Sequence, residues 1–153
     1  MKIEKIISPN ENVENLQQKI VKELEGILPD SEIELVGAMA VPMVGRPEID
    51  VMVISNKVEQ DSKDLVREGY KQGPIVNEIS YLKKYENDIE IGIQIIPPGH
   101  KMIDVHGKII QKLRDNPELR ESYETFKKTL NGLGREEYKE KKSAWIKENL
   151  LKE

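Results

Sequence analysis

Two short segments contain the residue types that phosphate chemistry requires. Gly37 and Ala38 follow a short apolar run, and Asp50 opens another that continues to Val53, with residues 39–49 between them. A glycine turn lets backbone amides approach phosphate oxygens. A carboxylate on a neighbouring strand can hold Mg²⁺ between a triphosphate and a nucleophile. The spacing therefore favours transfer of a phosphoryl or nucleotidyl group, with Asp50 as the candidate catalytic and metal-binding residue.

A second candidate carboxylate is Glu90, which lies between two isoleucines of a later apolar run. The pattern resembles nucleotidyltransferases, in which Gly followed by Gly or Ser precedes a strand reading acidic-apolar-acidic. Two positions depart from it, because Ala38 lacks a hydroxyl and Met52 stands where a further carboxylate is expected. Fewer carboxylates weaken a Mg²⁺ site. Asp50 could instead accept hydrogen bonds from turn amides near Gly37, and Glu90 could simply face solvent.

The same region also resembles the hallmark of the GrpB family. That hallmark reads Ile-Gly-Ser-Thr-Ala-Val-Pro-Gly-Leu, a short gap, and Lys-Pro-Ile-Ile-Asp. Here Gly37, Pro47 and Asp50 match it, and Arg46 keeps the charge of the Lys. A single acidic residue in this strand is usual in the family, so Met52 is consistent with the resemblance. The likeness implies a fold similar to that of nucleotidyltransferases, without an assigned reaction.

Residues near the end of the chain extend this resemblance to about residue 148. Tyr138, Lys142 and the pair Trp145–Ile146 follow the family's Tyr-x-x-x-Lys-x-x-Phe-Ile pattern. Two features differ from the family. Residues 109–112 replace Phe-Arg-Asp-Tyr, and residues 89–96 lack the histidine that family members often have in this strand.

The candidate ligand-binding residues are those that could approach a phosphate or that share a strand face with the two carboxylates. They are Gly37, Ala38, Arg46, Gln94, Arg114, Tyr138 and Lys142. For each basic residue, a surface ion pair is the simpler alternative. His100 and His106 have no carboxylate partner placed by the sequence, so we assign them neither a metal nor a general-base role.

A small sheet with flanking helices must position these residues. Periodic apolar residues from Val13 to Ile27 predict an N-terminal helix, with Ser8 and Pro9 at its start. Apolar runs predict strands at 33–36 and 49–54, and residues 78–83 and 88–96 predict an antiparallel hairpin. Further helices are predicted at 61–69, 101–114, from Asn116 onward, and at about 135–151.

The predicted fold class is α+β, a nucleotidyltransferase-like small mixed sheet with an N-terminal helix and a C-terminal helical segment. We expect one domain over 1–153, with the helix and sheet at about 8–98 and the helical end at about 101–151.

Composition limits the classes of partner. The 153 residues are 37% hydrophobic and 34% charged, and they include no cysteine. No apolar run approaches a membrane span and no signal peptide is evident, so we expect a cytoplasmic protein without a membrane partner. The net charge of −4 combines an acidic excess in 1–100 with a basic excess in 101–153. This balance argues against generic duplex nucleic acid, while the basic end could face a phosphate-bearing ligand or be an ordinary solvated helix surface.

Three functions remain open. The preferred hypothesis is a protein that binds a nucleotide or other phosphate-bearing ligand, with weak or absent transferase activity. The first alternative is an active nucleotidyltransferase acting on a small acceptor, with Mg²⁺ on Asp50 and Glu90. The second is a protein-interaction module that uses the basic helical end.

Overall fold

The computed structural model describes residues 11–36 and 48–151, apart from the side chains at 11, 12 and 135. Over this part of the chain there are five helices and five strands, all five strands belonging to one sheet. In chain order the elements are α1 (Glu11–Ile27), β1 (Glu32–Val36), β2 (Glu48–Ile54), α2 (Val58–Arg67), β3 (Lys71–Val76), β4 (Ile79–Glu86), β5 (Ile89–Ile96), α3 (Lys101–Asp115), α4 (Pro117–Lys128) and α5 (Arg135–Asn149).

The sheet has the strand order β1-β2-β5-β4-β3 and is mixed. The central pair β2 and β5 is parallel, and the other three pairings are antiparallel. In the central pair, Glu48 lies opposite Glu90 and Asp50 lies opposite Gly92. The predicted α+β class with a small mixed sheet is confirmed. None of the described helices is both long and apolar enough to cross a membrane.

One face of the sheet forms the main core with α1 and α2. Ile49, Val51 and Val53 of β2 pack there beside the alternating isoleucines of β5, as the period of two along the sequence predicts. From α1 the buried residues of this core are Val13, Leu16, Ile20 and Leu24, which confirms the predicted stripe. The alternate positions of β2 and β5 consequently face away from this core, on the side where the C-terminal helices lie.

The C-terminal helices form a second core. Leu113, Tyr123 and Leu150 are buried there, with Trp145 and Phe126 packed against them. Asn116 caps α4, since its side chain accepts a hydrogen bond from the backbone N–H of Leu119 at 3.1 Å, and a proline follows at the first helical position. This confirms the predicted start of α4.

Two parts of the sequence-based description differ from the structure or fall outside it. Strand β3 was not predicted, because it contains Gly73 and Pro74 and all six of its residues are exposed. Such an edge strand lacks the apolar alternation that identifies a buried one. The predicted cap of α1 by Ser8 and Pro9 lies outside the described residues.

The turn between β3 and β4 provides a test of backbone strain. Its two residues, Asn77 and Glu78, have φ of 50° and 71°, the positive values that a two-residue hairpin turn requires. Glycine adopts this conformation without the steric cost that a glutamate has. We therefore expect Glu78→Gly to raise the free energy of unfolding by about 0.5–1 kcal/mol in urea denaturation. The control is Glu68→Gly, at φ −88°, which should give no gain; equal effects at both sites would contradict the strain.

Candidate functional site

The polar face of the central strand pair borders a cavity of about 760 Å³. Glu48 and Asp50 are two residues apart on β2, so their side chains point to the same side. Glu90 of β5 lies opposite Glu48 rather than opposite Asp50. Gly92, opposite Asp50, leaves room for its carboxylate, because a Cβ at that position would be 3.2 Å from Oδ1 of Asp50. All three acidic side chains line the cavity.

The other walls of the cavity come from the middle of the chain and from its C-terminal helices. β3 and β4 contribute Lys71 and Lys83, while α3 contributes His106. Tyr123 of α4 and a group from α5 close the opposite side; the α5 residues are Tyr138, Lys139, Lys142, Ser143 and Ile146. The site therefore brings carboxylates of the sheet against lysines and phenols of the C-terminal helices.

Lys142 makes a direct link between α5 and the sheet. Its Nζ lies 3.4 Å from Oε1 of Glu48, and the side chains are only 19% and 9% exposed. The same ammonium lies 5.7 Å from the ring centroid of Tyr138. Burial opposes the charge on Lys142, but Tyr123, Glu48, Tyr138 and Asp50 together raise its pKa above the usual value. Because phenols are neutral at pH 7, the two carboxylates are the charges that hold this ammonium.

Glu90 has a hydrogen-bond donor of its own. The hydroxyl of Tyr85 donates to Oε1 of Glu90 at 3.2 Å, between neighbouring strands. Glu90 itself is buried. The alternative that Glu90 faces solvent is therefore wrong, since Glu90 is only 7% exposed.

His106 and Gln94 form a polar contact on the cavity wall. Nε2 of His106 lies 3.1 Å from Oε1 of Gln94, so the ring donates through Nε2 and leaves Nδ1 as an acceptor. Burial lowers the pKa of His106, which keeps the ring neutral at pH 7. His106 thus borders the site, although the sequence placed no partner beside it.

Lys127 of α4 lies beside Tyr123, one of the residues that line the cavity. Its side chain is fully buried, and within 11–36 and 48–151 its Nζ has no hydrogen-bond partner. The ammonium lies 4.6 Å from the ring centroid of Tyr123. Burial, together with the nearby charge of Lys142, lowers its pKa to about 7, while Glu124 and Glu48 act in the opposite direction.

The structure brings together most of the predicted site residues that it describes. Asp50, Glu90, Gln94, Tyr138 and Lys142 all line the cavity. Arg114 is exposed on α3 and is not among the lining residues that the structure describes. The remaining three predicted residues lie outside the described residues; they are Gly37, Ala38 and Arg46.

Sequence reasoning missed Glu48, although a signal was present. The acidic-apolar-acidic pattern was sought from Asp50 to Met52, whereas the residues from Glu48 to Asp50 satisfy it. The GrpB hallmark has Ile at the position of Glu48, so the resemblance predicts no carboxylate there. Met52 is buried on the same strand. The second carboxylate of this strand therefore precedes Asp50 instead of following it.

Comparison of the sequence with known proteins identifies similar chains. The sequence profile described as GrpB protein matches residues 4–152. A UPF0157 protein from Vibrio cholerae is 32% identical over 138 residues, which cover 87% of this chain and 73% of that protein.

Comparison of the structures supports the same fold. The crystal structure of the conserved protein GrpB from Enterococcus faecalis has a TM-score of 0.74 at 20% identity, covering 94% of this chain and 98% of that one. The Cid1 poly(U) polymerase, in a structure described as bound to Mg and 3′-dATP, has a TM-score of 0.54 at 14% identity. That match covers 77% of this chain and 40% of the polymerase. The fold is therefore nucleotidyltransferase-like.

Proposed function

The chain belongs to the GrpB family, and on that premise we propose that its cavity binds a nucleotide or another phosphate-bearing ligand, with weak or absent transferase activity. The observation that supports this most is the charge of the cavity wall. Four lysines line it, Lys71, Lys83, Lys139 and Lys142, against three carboxylates. Lys142 lies next to Glu48, while Lys71 and Lys83 of the neighbouring strands line the same cavity and can face an anion.

The size and chemistry of the cavity agree with such a ligand. Its volume of about 760 Å³ lies within the usual range for small-molecule sites. Tyr81 supplies aromatic surface on the wall, which suits a planar base. The Cid1 polymerase, whose structure is described with 3′-dATP, supports the proposal only through its similar fold.

Magnesium on Asp50 and Glu90 is the metal that the fold suggests. Within the described ranges, no group of three or more His, Asp or Glu side chains is arranged to hold a metal ion. Glu90 lies across from Glu48 and accepts a hydrogen bond from Tyr85, while an ammonium group lies beside Glu48. These residues do not fit a resident Mg²⁺ ion, so we propose no step that uses one.

Nucleotide titration tests the proposed binding. We expect at least one of ATP, GTP, CTP and UTP to bind wild type at millimolar or lower concentration in calorimetry, and Lys83→Ala and Lys139→Ala each to weaken it about fivefold. Lys63→Ala is the matched control, because this lysine is exposed on α2 and pairs with Glu59. Absence of binding by every nucleotide at millimolar concentration would sink the proposal.

An active transferase is the second candidate, favoured by one specific observation. Glu48 and Asp50 have the two-residue spacing on a strand that nucleotidyl transfer uses, with Glu90 beside them. The test is incorporation of labelled nucleotide into small acceptors, comparing wild type with Asp50→Asn. Turnover that Asp50→Asn abolishes would replace the binding proposal with this one.

A further inference from the structure

We propose that the ammonium group of Lys142 is the resident cation of the Glu48–Asp50 carboxylate pair, and that the cavity therefore takes its ligand without a divalent metal. The part about the ligand rests on the proposed function. The part about the metal does not, because it concerns only the protein and the ions in solution.

The position of Lys142 is that of a counter-ion for adjacent carboxylates. Glu48 and Asp50 point to one side of β2, and Glu90 lies directly opposite Glu48 on β5. Like charges this close repel each other unless a cation lies among them. The Nζ of Lys142 lies 3.4 Å from Oε1 of Glu48, and α5 brings it there from the other end of the chain.

Shielding from solvent makes this pair stronger than a surface ion pair. The side chains of Lys142 and Glu48 are 19% and 9% exposed, so dissolved salt screens them little. Removing one partner of a buried pair leaves an uncompensated charge, which is strongly destabilising. A metal ion that displaced Lys142 from Glu48 would leave the ammonium of Lys142 as an uncompensated buried charge, near the rings of Tyr123 and Tyr138.

Attachment to α5 gives Lys142 a further advantage over a dissolved ion. Tyr138, one helical turn before it, is 1% exposed, so this part of α5 is packed against the rest of the protein. A tethered group competes as if present at a high effective concentration. Mg²⁺, in contrast, must first lose water and also needs near-octahedral oxygen ligands. The tethered ammonium is therefore the cation that the carboxylates retain.

Removal of the ammonium should create a metal site. In Lys142→Met the carboxylates of Glu48 and Asp50 keep their places on β2 but lose the ammonium group that Lys142 supplies. A divalent ion then gains the attraction that Lys142 supplied. Lys142→Arg keeps a positive charge on the same helix position and should continue to exclude the metal.

The experiment is a thermal-shift and calorimetric titration with MnCl₂ and MgCl₂ at constant ionic strength, without nucleotide. Wild type, Lys142→Arg and the control Lys141→Met should show no saturable binding; Lys141 is exposed on the same helix and pairs with Glu137. Lys142→Met should bind Mn²⁺ saturably, with Tm rising by about 5–11 °C at 100 times Kd. Saturable Mn²⁺ or Mg²⁺ binding by wild type that Asp50→Asn removes would overturn the proposal, and so would Lys142→Met that folds but binds neither ion.

A second measurement covers the case in which Lys142→Met does not fold. Glu48→Gln removes one carboxylate and keeps Lys142. If Lys142 is the resident cation, neither wild type nor Glu48→Gln should show saturable Mn²⁺ binding. Nucleotide affinity of wild type should then be equal, within about threefold, in EDTA and in excess MgCl₂. Binding that requires MgCl₂ would overturn this inference while supporting the proposed function. Absence of nucleotide binding in both buffers would contradict the proposed function. The titration with MnCl₂ and MgCl₂ alone would then decide whether Lys142 is the resident cation.

Discussion

Replacement of Lys127 by methionine is expected to raise the free energy of unfolding by about 2–4 kcal/mol at pH 7. The ammonium of Lys127 is fully buried and has no hydrogen-bond partner within 11–36 and 48–151. Its ring contact with Tyr123 at 4.6 Å offsets only part of the lost hydration. Methionine fills a similar volume without a charge. Urea denaturation of both proteins measures the difference.

The difference in free energy of unfolding between Lys127→Met and wild type should decrease as pH rises. The pKa of Lys127 is about 7 in the folded protein, well below the ordinary lysine value of 10.5 that applies to the unfolded chain. Below pH 7 both states bind the proton, so the full cost of the buried charge remains. As pH rises from 7 to 10.5, the folded state loses its proton first, and wild type gains stability relative to Lys127→Met by up to about 1.4 kcal/mol per pH unit.

Two comparisons test this dependence. Wild type and Lys127→Met are unfolded at about pH 6.5, 8 and 9.5, and their difference should shrink steadily over this series. Lys128→Met is the control, because Lys128 is the next residue and is exposed. The charges that face Lys127 belong to Lys142, Glu124 and Glu48, and all three remain in the variant. If the difference in free energy of unfolding between the two proteins is constant with pH, Lys127 does not titrate as a buried lysine.

Tyr123→Ala is expected to lower the free energy of unfolding by about 3–5 kcal/mol. Tyr123 is 1% exposed and stacks on Trp145, with ring centroids 4.6 Å apart and an interplanar angle of 11°. It also lines the cavity and contacts the ammonium of Lys127. Truncation removes the centre of the second core and the ring that contacts Lys127.

The sequence provides a direct probe for this change. Trp145 is the protein's only tryptophan, so its fluorescence reports the core that Tyr123 occupies. Tyr123→Phe keeps the ring and should cost less than half as much as Tyr123→Ala in the same denaturation series. A loss below about 1 kcal/mol for Tyr123→Ala would show that this stack does not hold the helices together.

The parts of the fold that the sequence predicted well have periodic, local signals. The run from Ile49 to Ile54 and the alternating isoleucines of β5 identify buried strands, and Asn116 with Pro117 identifies the start of α4. β3 has no such signal, because an exposed edge strand is defined by its pairing with β4 and not by its own side chains. That residues 1–153 form a single domain stays a prediction.

The candidate site was predictable in part for the same reason. Asp50, Glu90 and Lys142 belong to patterns along the chain, and the structure places all three at one cavity. Lys127 belongs to no such pattern, because a lysine on an amphipathic helix normally faces solvent. Its burial results from α4 meeting the rest of the C-terminal core, which no local window shows. Glu48 was not predicted because the family hallmark has Ile at its position, although Glu48 and Asp50 show the acidic-apolar-acidic pattern.

The parallel pairing of β2 with β5 has a consequence for how the protein folds. β3, β4 and β5 pair with their sequence neighbours, so they can form early through short loop closures. β2 must instead find β5 across a separation of roughly 40 residues, and such distant pairings slow folding. Glu48 and Glu90 therefore become neighbours only when this late step is complete. A folding intermediate with the β3–β5 meander alone would have no ligand site, so ligand added during refolding should stabilise the final product without accelerating its formation.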